Sequence, residues 1–311
     1  MKIVFLDVET LGSDLDLSAF EQLGEVVMYQ TSTIAEAAQR TVDADIVIAN
    51  KIPMNETTIG NAERLKLICI TATGTNNLDK EYLAQRNILW KNAADYSTES
   101  VAQHTFALFF YLMEKLRYYD DFVKDGSYIR SNIFTNLQES FHEIAGSTWG
   151  IIGLGNIGRR VASIASAFGA DVIYASASGS APQEGYHQVS LDELYAASDV
   201  ISIHAPLNQY TEGLIDQSSL KKMKPNCILL NLGRGPIVVE ADLADALHCG
   251  TIAAAGLDVL CEEPMRADNP LFHIKDSRKL IITPHTAWAS VEARTKLMEI
   301  TLSHVKNFLN S

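Results

Sequence analysis

The stretch Gly150–Ser176, GIIGLGNIGRRVASIASAFGADVIYAS, decides the fold. An apolar run ends at Gly153-Leu154-Gly155, Gly158 follows, a helical pattern runs on from there, and a second β-branched run closes the unit. Each glycine in that frame answers a separate steric demand. Gly153 permits the tight turn out of the strand, Gly155 lets the backbone approach a pyrophosphate, and Gly158 lets helix and strand pack closely. The first turn of the helix offers unpaired N–H groups and the positive end of its dipole to the anion. With Asn156 and Ile157 between the glycines, the stretch reads as a dinucleotide cradle.

At the end of the second run an acidic side chain normally bonds the adenosine ribose hydroxyls and repels a 2′-phosphate. This chain has Ser176 there. Selection for the phosphorylated cofactor would normally add a cation, yet Ser176–Gln188, SASGSAPQEGYHQ, holds no Lys or Arg, and only Arg159 and Arg160 stand near. Ser176 and Ser178 can bond ribose hydroxyls or phosphate oxygens equally well. The expected cofactor is therefore NAD, with NADP admitted because nothing repels it.

Outward from the cradle, short apolar runs alternate with helical patterns along the whole chain. KIVFLDV, ADIVIAN and LKLICIT come before it; ADVIYAS, SDVISIHAP, CILLNLG, IAAAGLDVL and KLIITPH come with or after it. Such alternation predicts α/β architecture with parallel sheets covered on both faces. Because three runs precede the cradle, the dinucleotide unit is not the first thing the chain builds. YSTESVAQHTFALFFYLMEKLRYYDDFVKDG, residues 96–126, reads as one long apolar-rich helix linking two domains, and SVEARTKLMEITLSHVKNFLN, residues 290–310, as an amphipathic helix that crosses back to the first domain. The expectation is two doubly wound parallel-sheet domains: a Rossmann dinucleotide-binding domain over 98–288, inserted in a flavodoxin-like substrate domain formed by 1–97 and 289–311.

A chain of 311 residues, 47% of them hydrophobic, is long enough for two buried cores. Its formal net charge of −13 disfavours nucleic acid and anionic membranes as partners. Cys69, Cys227, Cys249 and Cys261 share no metal-ligand spacing, so no metal is expected and free thiols in a reducing compartment fit best. The N-terminal apolar run is too short for a signal peptide and no run has the length of a membrane span, so a cytoplasmic protein is expected.

Four segments follow the cradle: HAPLNQYT (204–211), LNLGRGPIVVEADL (230–243), GLDVLCEEP (256–264) and ITPHTAWAS (282–290). Three of them lie where an apolar strand runs into a Gly- or Pro-marked turn, the place where doubly wound sheets hold ligands. Together they resemble the D-isomer-specific 2-hydroxyacid dehydrogenase family over nearly the whole chain. NKIPM (50–54), TATGTNNLD (71–79), YSTESVAQHTF (96–106) and the Trp of PHTAWAS resemble its branch that interconverts hydroxypyruvate and D-glycerate.

The resemblance implies roles at single positions. Arg234 would grip the substrate carboxylate and carbonyl oxygen, a task for a rigid guanidinium fork. His285 would protonate the carbonyl oxygen as the hydride arrives, suited by an imidazole that titrates near neutrality. Glu263 would bond the other ring nitrogen and orient the imidazole. Asp258 would bond the nicotinamide carboxamide, and Leu232 with Gly233 would give that ring its backbone contact. Pro206 and Thr211 would flank the cofactor, and the loop at Thr73 and Gly74 would hold the substrate carboxylate through its N–H groups. A homodimer is implied too, with the long inter-domain helix and RSNIFTNLQESFHE (130–143) at the twofold.

Taken singly, each of these residues has a plain alternative: Arg234 as a turn brace, Glu263 as a solvated charge beside Glu262, His285 as one packed histidine among 8. Their common register favours the chemical reading. Of the other histidines, His204 would face the cofactor and His104 would serve packing. Lys51, after a strand end of the first domain, is open between solvated charge and substrate contact. Two other functions remain in play. A dinucleotide-sensing binding protein of the same fold would need a recruiting segment, and none is evident. A formate-type dehydrogenase would pair its histidine with glutamine, where this chain has Glu263.

Overall fold

The computed structural model describes residues 1–179 and 185–310. These form two compact units, Met1–Ser97 with Ala289–Ser311, and Thr98–Trp288.

In the first unit the strands are β1 (Lys2–Phe5), β2 (Glu25–Met28), β3 (Ile46–Ala49), β4 (Leu67–Ile70) and β5 (Leu89–Asn92), with helices α1 (Ile34–Arg40), α2 (Glu56–Ile59) and α3 (Lys80–Gln85) between them. The order β2-β1-β3-β4-β5, parallel throughout, is the flavodoxin arrangement. All four residues of β3 and of β4 are buried, as a sheet covered on both faces requires. Thr33 starts α1 with a capping box closed by Glu36.

The second unit opens with α4 (Thr98–Met113) and α5 (Leu116–Lys124), and continues β6 (Thr148–Ile152), α6 (Asn156–Ala167), β7 (Asp171–Ala175), β8 (His187–Gln188), α7 (Leu191–Ala197), β9 (Val200–Ile203), α8 (Gln217–Leu220), β10 (Ile228–Asn231), α9 (Glu240–Cys249), β11 (Ala254–Leu257) and β12 (Leu280–Ile282). Read from β8, the sheet order is β8-β7-β6-β9-β10-β11-β12, the classical dinucleotide-binding order with one more strand at its edge. The strand order reverses between the parallel neighbours β6 and β9, so their carboxyl ends open the crevice where such sheets bind ligands.

Alternate side chains of the central strands enter opposite cores. Ile201, Ile203 and Leu229 pack in the layer with α7 and α9, whereas Trp149, Ile151 and Leu230 pack in the layer with α4 and α6. Trp149 is fully buried and its indole N–H donates to Ser202 Oγ at 2.9 Å, so the ring satisfies its one polar atom inside the core.

One expectation is corrected. The apolar-rich run at 96–126 is two helices, not one. Lys115 between them adopts φ +52°, which ends the i→i−4 ladder. Its ammonium is anchored there by the Ser140 carbonyl at 2.5 Å and Glu139 at 3.2 Å. α4 also belongs to a packed layer, lying on β10, β11 and α6.

The chain returns to the first unit as α10 (Val291–Leu309), capped by Ser290 and packed on β4. Arg294 of this helix forms a two-pronged ion pair with Asp14, which pulls that carboxyl down to about 2. Among the described residues no helix is long and apolar enough to cross a membrane.

Candidate active site

The glycine turn after β6 has the geometry of an anion cradle. Gly153 adopts φ +94°, a left-handed conformation that a side chain resists, and a Cβ there would lie 2.6 Å from Ala205 N. A Cβ on Gly158 would lie 2.2 Å from the Gly153 carbonyl oxygen, so β6 and α6 touch only because none exists. Gly155 is different: a Cβ there would meet nothing within 4 Å. The fold itself leaves room for a side chain at this position. Gly155 is also the N-cap of this 12-residue helix α6 and brings no side chain to the helix start, which carries the positive end of the helix dipole. The residues present fit a dinucleotide pyrophosphate.

At the end of β7, Ser176 Oγ and Ser178 Oγ lie 3.3 Å apart, and the Ser176 carbonyl accepts the Gly179 N–H. Arg160 is occupied at α4, where its Nε pairs with Glu99 at 2.8 Å, so it is not a ready 2′-phosphate ligand. The end of the serine-rich stretch, residues 180–184, lies outside the described residues.

Across the crevice, Thr211 is buried and its hydroxyl serves its own loop: it donates to the Pro206 carbonyl at 2.7 Å and accepts the Asn208 N–H at 2.8 Å. Thr211 therefore shapes the loop that carries Pro206. At the carboxyl end of β9, both ring nitrogens of His204 are out of solvent and have no hydrogen-bond partner among the described residues. Burial alone drives that imidazole's pKa down to about 3, so it is neutral.

After β10 the chain turns at Leu232-Gly233-Arg234-Gly235. Buried Asn231 holds the turn, its Oδ1 accepting the Gly233 N–H at 3.0 Å and its Nδ2 donating to the Arg234 carbonyl at 2.9 Å. A Cβ on Gly235 would lie 1.9 Å from the Leu260 carbonyl carbon, so this turn presses directly on the loop that follows β11. Arg234 is extended and half-buried, with Nη1 on the Gly233 carbonyl at 2.7 Å. The rest of its fork has no described protein partner.

The loop after β11 delivers Glu263, and the turn after β12 delivers His285. Their side chains meet, with His285 Nδ1 2.7 Å from Glu263 Oε2. The second carboxylate oxygen accepts the Leu260 N–H at 3.0 Å, which fixes the carboxylate plane. His285 itself has φ +54°, a left-handed conformation that costs a non-glycine residue ~1–3 kcal/mol and persists only where the surroundings impose it.

Asp258 supplies that constraint. It is buried, and its carboxylate accepts the Thr283 hydroxyl at 2.7 Å and the N–H groups of Thr286 and Ala287 at 2.9 Å each. Its carbonyl accepts the His285 N–H at 2.8 Å, and its own N–H reaches the Asn231 carbonyl at 3.0 Å. One residue thus ties the arginine turn to the histidine turn.

In the first unit, Thr73 and Gly74 lie in the loop after β4, where Asn92 Nδ2 holds the Thr73 carbonyl at 2.7 Å. Lys51 is exposed after β3, its backbone N–H held by the buried Asp7 carboxylate at 2.8 Å. Desolvation raises that carboxyl's pKa even though backbone N–H groups favour its charge.

Sequence reading overlooked Glu240 and left His104 to packing. Glu240 on α9 accepts the Cys261 N–H at 2.7 Å and the Asn269 amide at 2.8 Å, bracing the Glu263 loop at both ends. His104 on α4 meets Thr283. No local signal marks either, because their partners lie 21 to 179 positions away.

A dinucleotide cradle beside a carboxylate-oriented imidazole and a guanidinium, all at the carboxyl ends of one parallel sheet, defines a nicotinamide-dependent oxidoreductase site. The comparisons agree. Residues 106–287 match the family model described as D-isomer specific 2-hydroxyacid dehydrogenase, NAD binding domain. The hydroxypyruvate reductase of Blautia hydrogenotrophica is 38% identical over 99% of this chain and 97% of its own. The glycerate dehydrogenase of Methylorubrum extorquens is 38% identical over 99% of this chain and 96% of its own. The solved NADPH-dependent glyoxylate/hydroxypyruvate reductase of Sinorhizobium meliloti, in complex with NADP and malonate, superimposes with a TM-score of 0.82 at 25% identity, covering 100% of this chain and 94% of that one. The chain belongs to the D-isomer specific 2-hydroxyacid dehydrogenase family. It is an oxidoreductase that uses a nicotinamide dinucleotide to interconvert 2-keto and 2-hydroxy acids.

Proposed function

We propose that the protein reduces hydroxypyruvate to D-glycerate, with NADH preferred and NADPH accepted. The observation that carries the chemistry is the 2.7 Å pairing of His285 with Glu263 in the turns after β12 and β11, at the same carboxyl-terminal edge of the sheet as the glycine turn after β6. When bound, the nicotinamide supplies the hydride to the carbonyl carbon. Arg234 grips the substrate carboxylate and the keto oxygen through its fork. Because a carboxylate only accepts, the His285 Nδ1 keeps its proton toward Glu263 and Nε2 gives its own to the oxygen. Glu263 balances the imidazolium before the transfer, and solvent restores the proton afterwards. Thr73 and Gly74 offer backbone N–H groups to the substrate, and Asp258, Leu232 and Gly233 frame the nicotinamide.

The relatives' names support the substrate pair, and the family model's description supports NAD. Ser176 leaves the 2′-phosphate unopposed, and the commitment of Arg160 to Glu99 leaves it weakly attracted. Initial rates on a panel of 2-keto acids, with NADH and NADPH separately, test both points. A better rate on pyruvate or glyoxylate than on hydroxypyruvate would replace the substrate, and no turnover with any acid would remove the reading.

The same proposal includes a homodimer. Ile129, Ile133, Phe134 and Leu137, between α5 and β6, are 62–90% exposed, an apolar surface of the kind that a second copy covers. Light scattering on wild type and Phe134→Asp tests it, with a dimer expected only for the first. Thiols without a disulfide fit the reducing cytoplasm, the compartment we assign.

A further inference from the structure

α4 lies outside every loop that carries chemistry, yet two of its side chains hold the histidine turn. Ser100 Oγ donates to the Ala287 carbonyl at 2.6 Å, and His104 Nε2 lies 2.9 Å from Thr283 Oγ1 and 3.5 Å from Asp258 Oδ1. The two residues are one helical turn apart and so share a face of the helix. Their partners, Thr283 and Ala287, are the two ends of the segment whose middle residue is His285.

The direction of the hydrogen bonds can be worked out. Thr283 has one hydroxyl proton, and it is given to the Asp258 carboxylate at 2.7 Å. The hydroxyl oxygen can then only accept from His104, so His104 carries its proton on Nε2. The chain N–H to O–H to carboxylate polarises along its length. It also stops the Thr283 hydroxyl from rotating off Asp258, the residue on which the left-handed backbone of His285 depends.

We propose that His104 and Ser100 are positioning residues: α4 acts as a rail that sets the angle at which His285 presents its outer nitrogen. The inference rests on reading His285 as the proton donor. It goes further in assigning function to a helix that touches neither substrate nor cofactor in that reading. A displacement of the donor by about 1 Å is enough to cost ~10²-fold in rate while binding is untouched.

The test compares wild type, His104→Leu, His104→Gln and Ser100→Ala as full-length protein. Readouts are kcat and KM with the best acid of the panel, NADH affinity by fluorescence, the thermal midpoint, and the imidazole NMR signals of His285. In His104→Leu, kcat should fall ~10- to 100-fold while KM and NADH affinity stay within about 2-fold, and the His285 signals should move. His104→Gln, which restores an N–H donor, should regain most of the rate. The inference is overturned if His104→Leu keeps the wild-type kcat, or if rate, NADH affinity and thermal midpoint drop together without rescue by glutamine. If wild type itself reduces no keto acid, the catalytic reading fails separately. The NMR signals then decide the rail alone: movement in His104→Leu supports it, and unchanged signals end it.

Discussion

Glu263 holds His285 with one oxygen and its own loop with the other: Oε2 lies 2.7 Å from the imidazole Nδ1, and Oε1 accepts the Leu260 N–H at 3.0 Å. A carboxylate pinned at both oxygens cannot swing away as the ring gains and loses charge. Replacing it with glutamine keeps the shape and removes the charge that balances an imidazolium. Glu263→Gln should therefore lower kcat for keto-acid reduction by ~10²-fold and leave dinucleotide affinity unchanged, as steady-state rates and fluorescence titration will show. A wild-type rate would mean that the carboxylate only braces its loop.

The glycine turn separates folding from binding by one methyl group. A Cβ on Gly155 meets nothing within 4 Å, whereas one on Gly158 meets the Gly153 carbonyl oxygen at 2.2 Å. Gly155→Ala should melt within a few degrees of wild type and bind NADH at least ~10-fold more weakly. Gly158→Ala should melt clearly lower. Calorimetry and NADH titration on the pair check this, and equal melting losses in both would contradict it.

Ser176 removes a charge that would exclude the phosphorylated cofactor. Ser176→Asp should leave NADH turnover close to wild type and reduce kcat/KM with NADPH by ~10²-fold or more, because an unpaired carboxylate would face a phosphate dianion. A ratio of NADPH to NADH rates unchanged by the substitution would place the selectivity elsewhere.

His204 is a buried imidazole held neutral, its pKa pushed from 6.5 down to about 3 by desolvation. The unfolded chain takes up this proton first, so the unfolded state binds more protons between those values. The stability it contributes is present above pH ~6.5 and is lost progressively as pH falls toward the folded value. His204→Leu should flatten the decline of unfolding free energy between pH 6.5 and 4, measured by urea titration. Parallel declines in both proteins would show that the ring does not stay neutral in the fold.

Local chemistry made much of this legible in advance. Nine apolar runs became strands, because strand patterning is a local property of the sequence. β2, β5 and β8 escaped notice because they are sheet margins: β5 alternates exposed with half-buried residues and β8 has 2 residues. The break at Lys115 escaped too, since its side chain is held by Glu139 and Ser140, 24 and 25 positions later.

By itself the sequence determined the sheet class, the cradle and the identity of the charged residues, because strand periodicity and glycine sterics act over a few neighbouring residues. Only the tertiary structure decided that Glu263 touches His285, that Asp258 spends its carboxylate on the histidine turn, and that His104 reaches Thr283. Those contacts join residues 22 to 179 positions apart, and an orientation-dependent bond of under 3 Å exists only after the parallel strands have set neighbouring turns side by side.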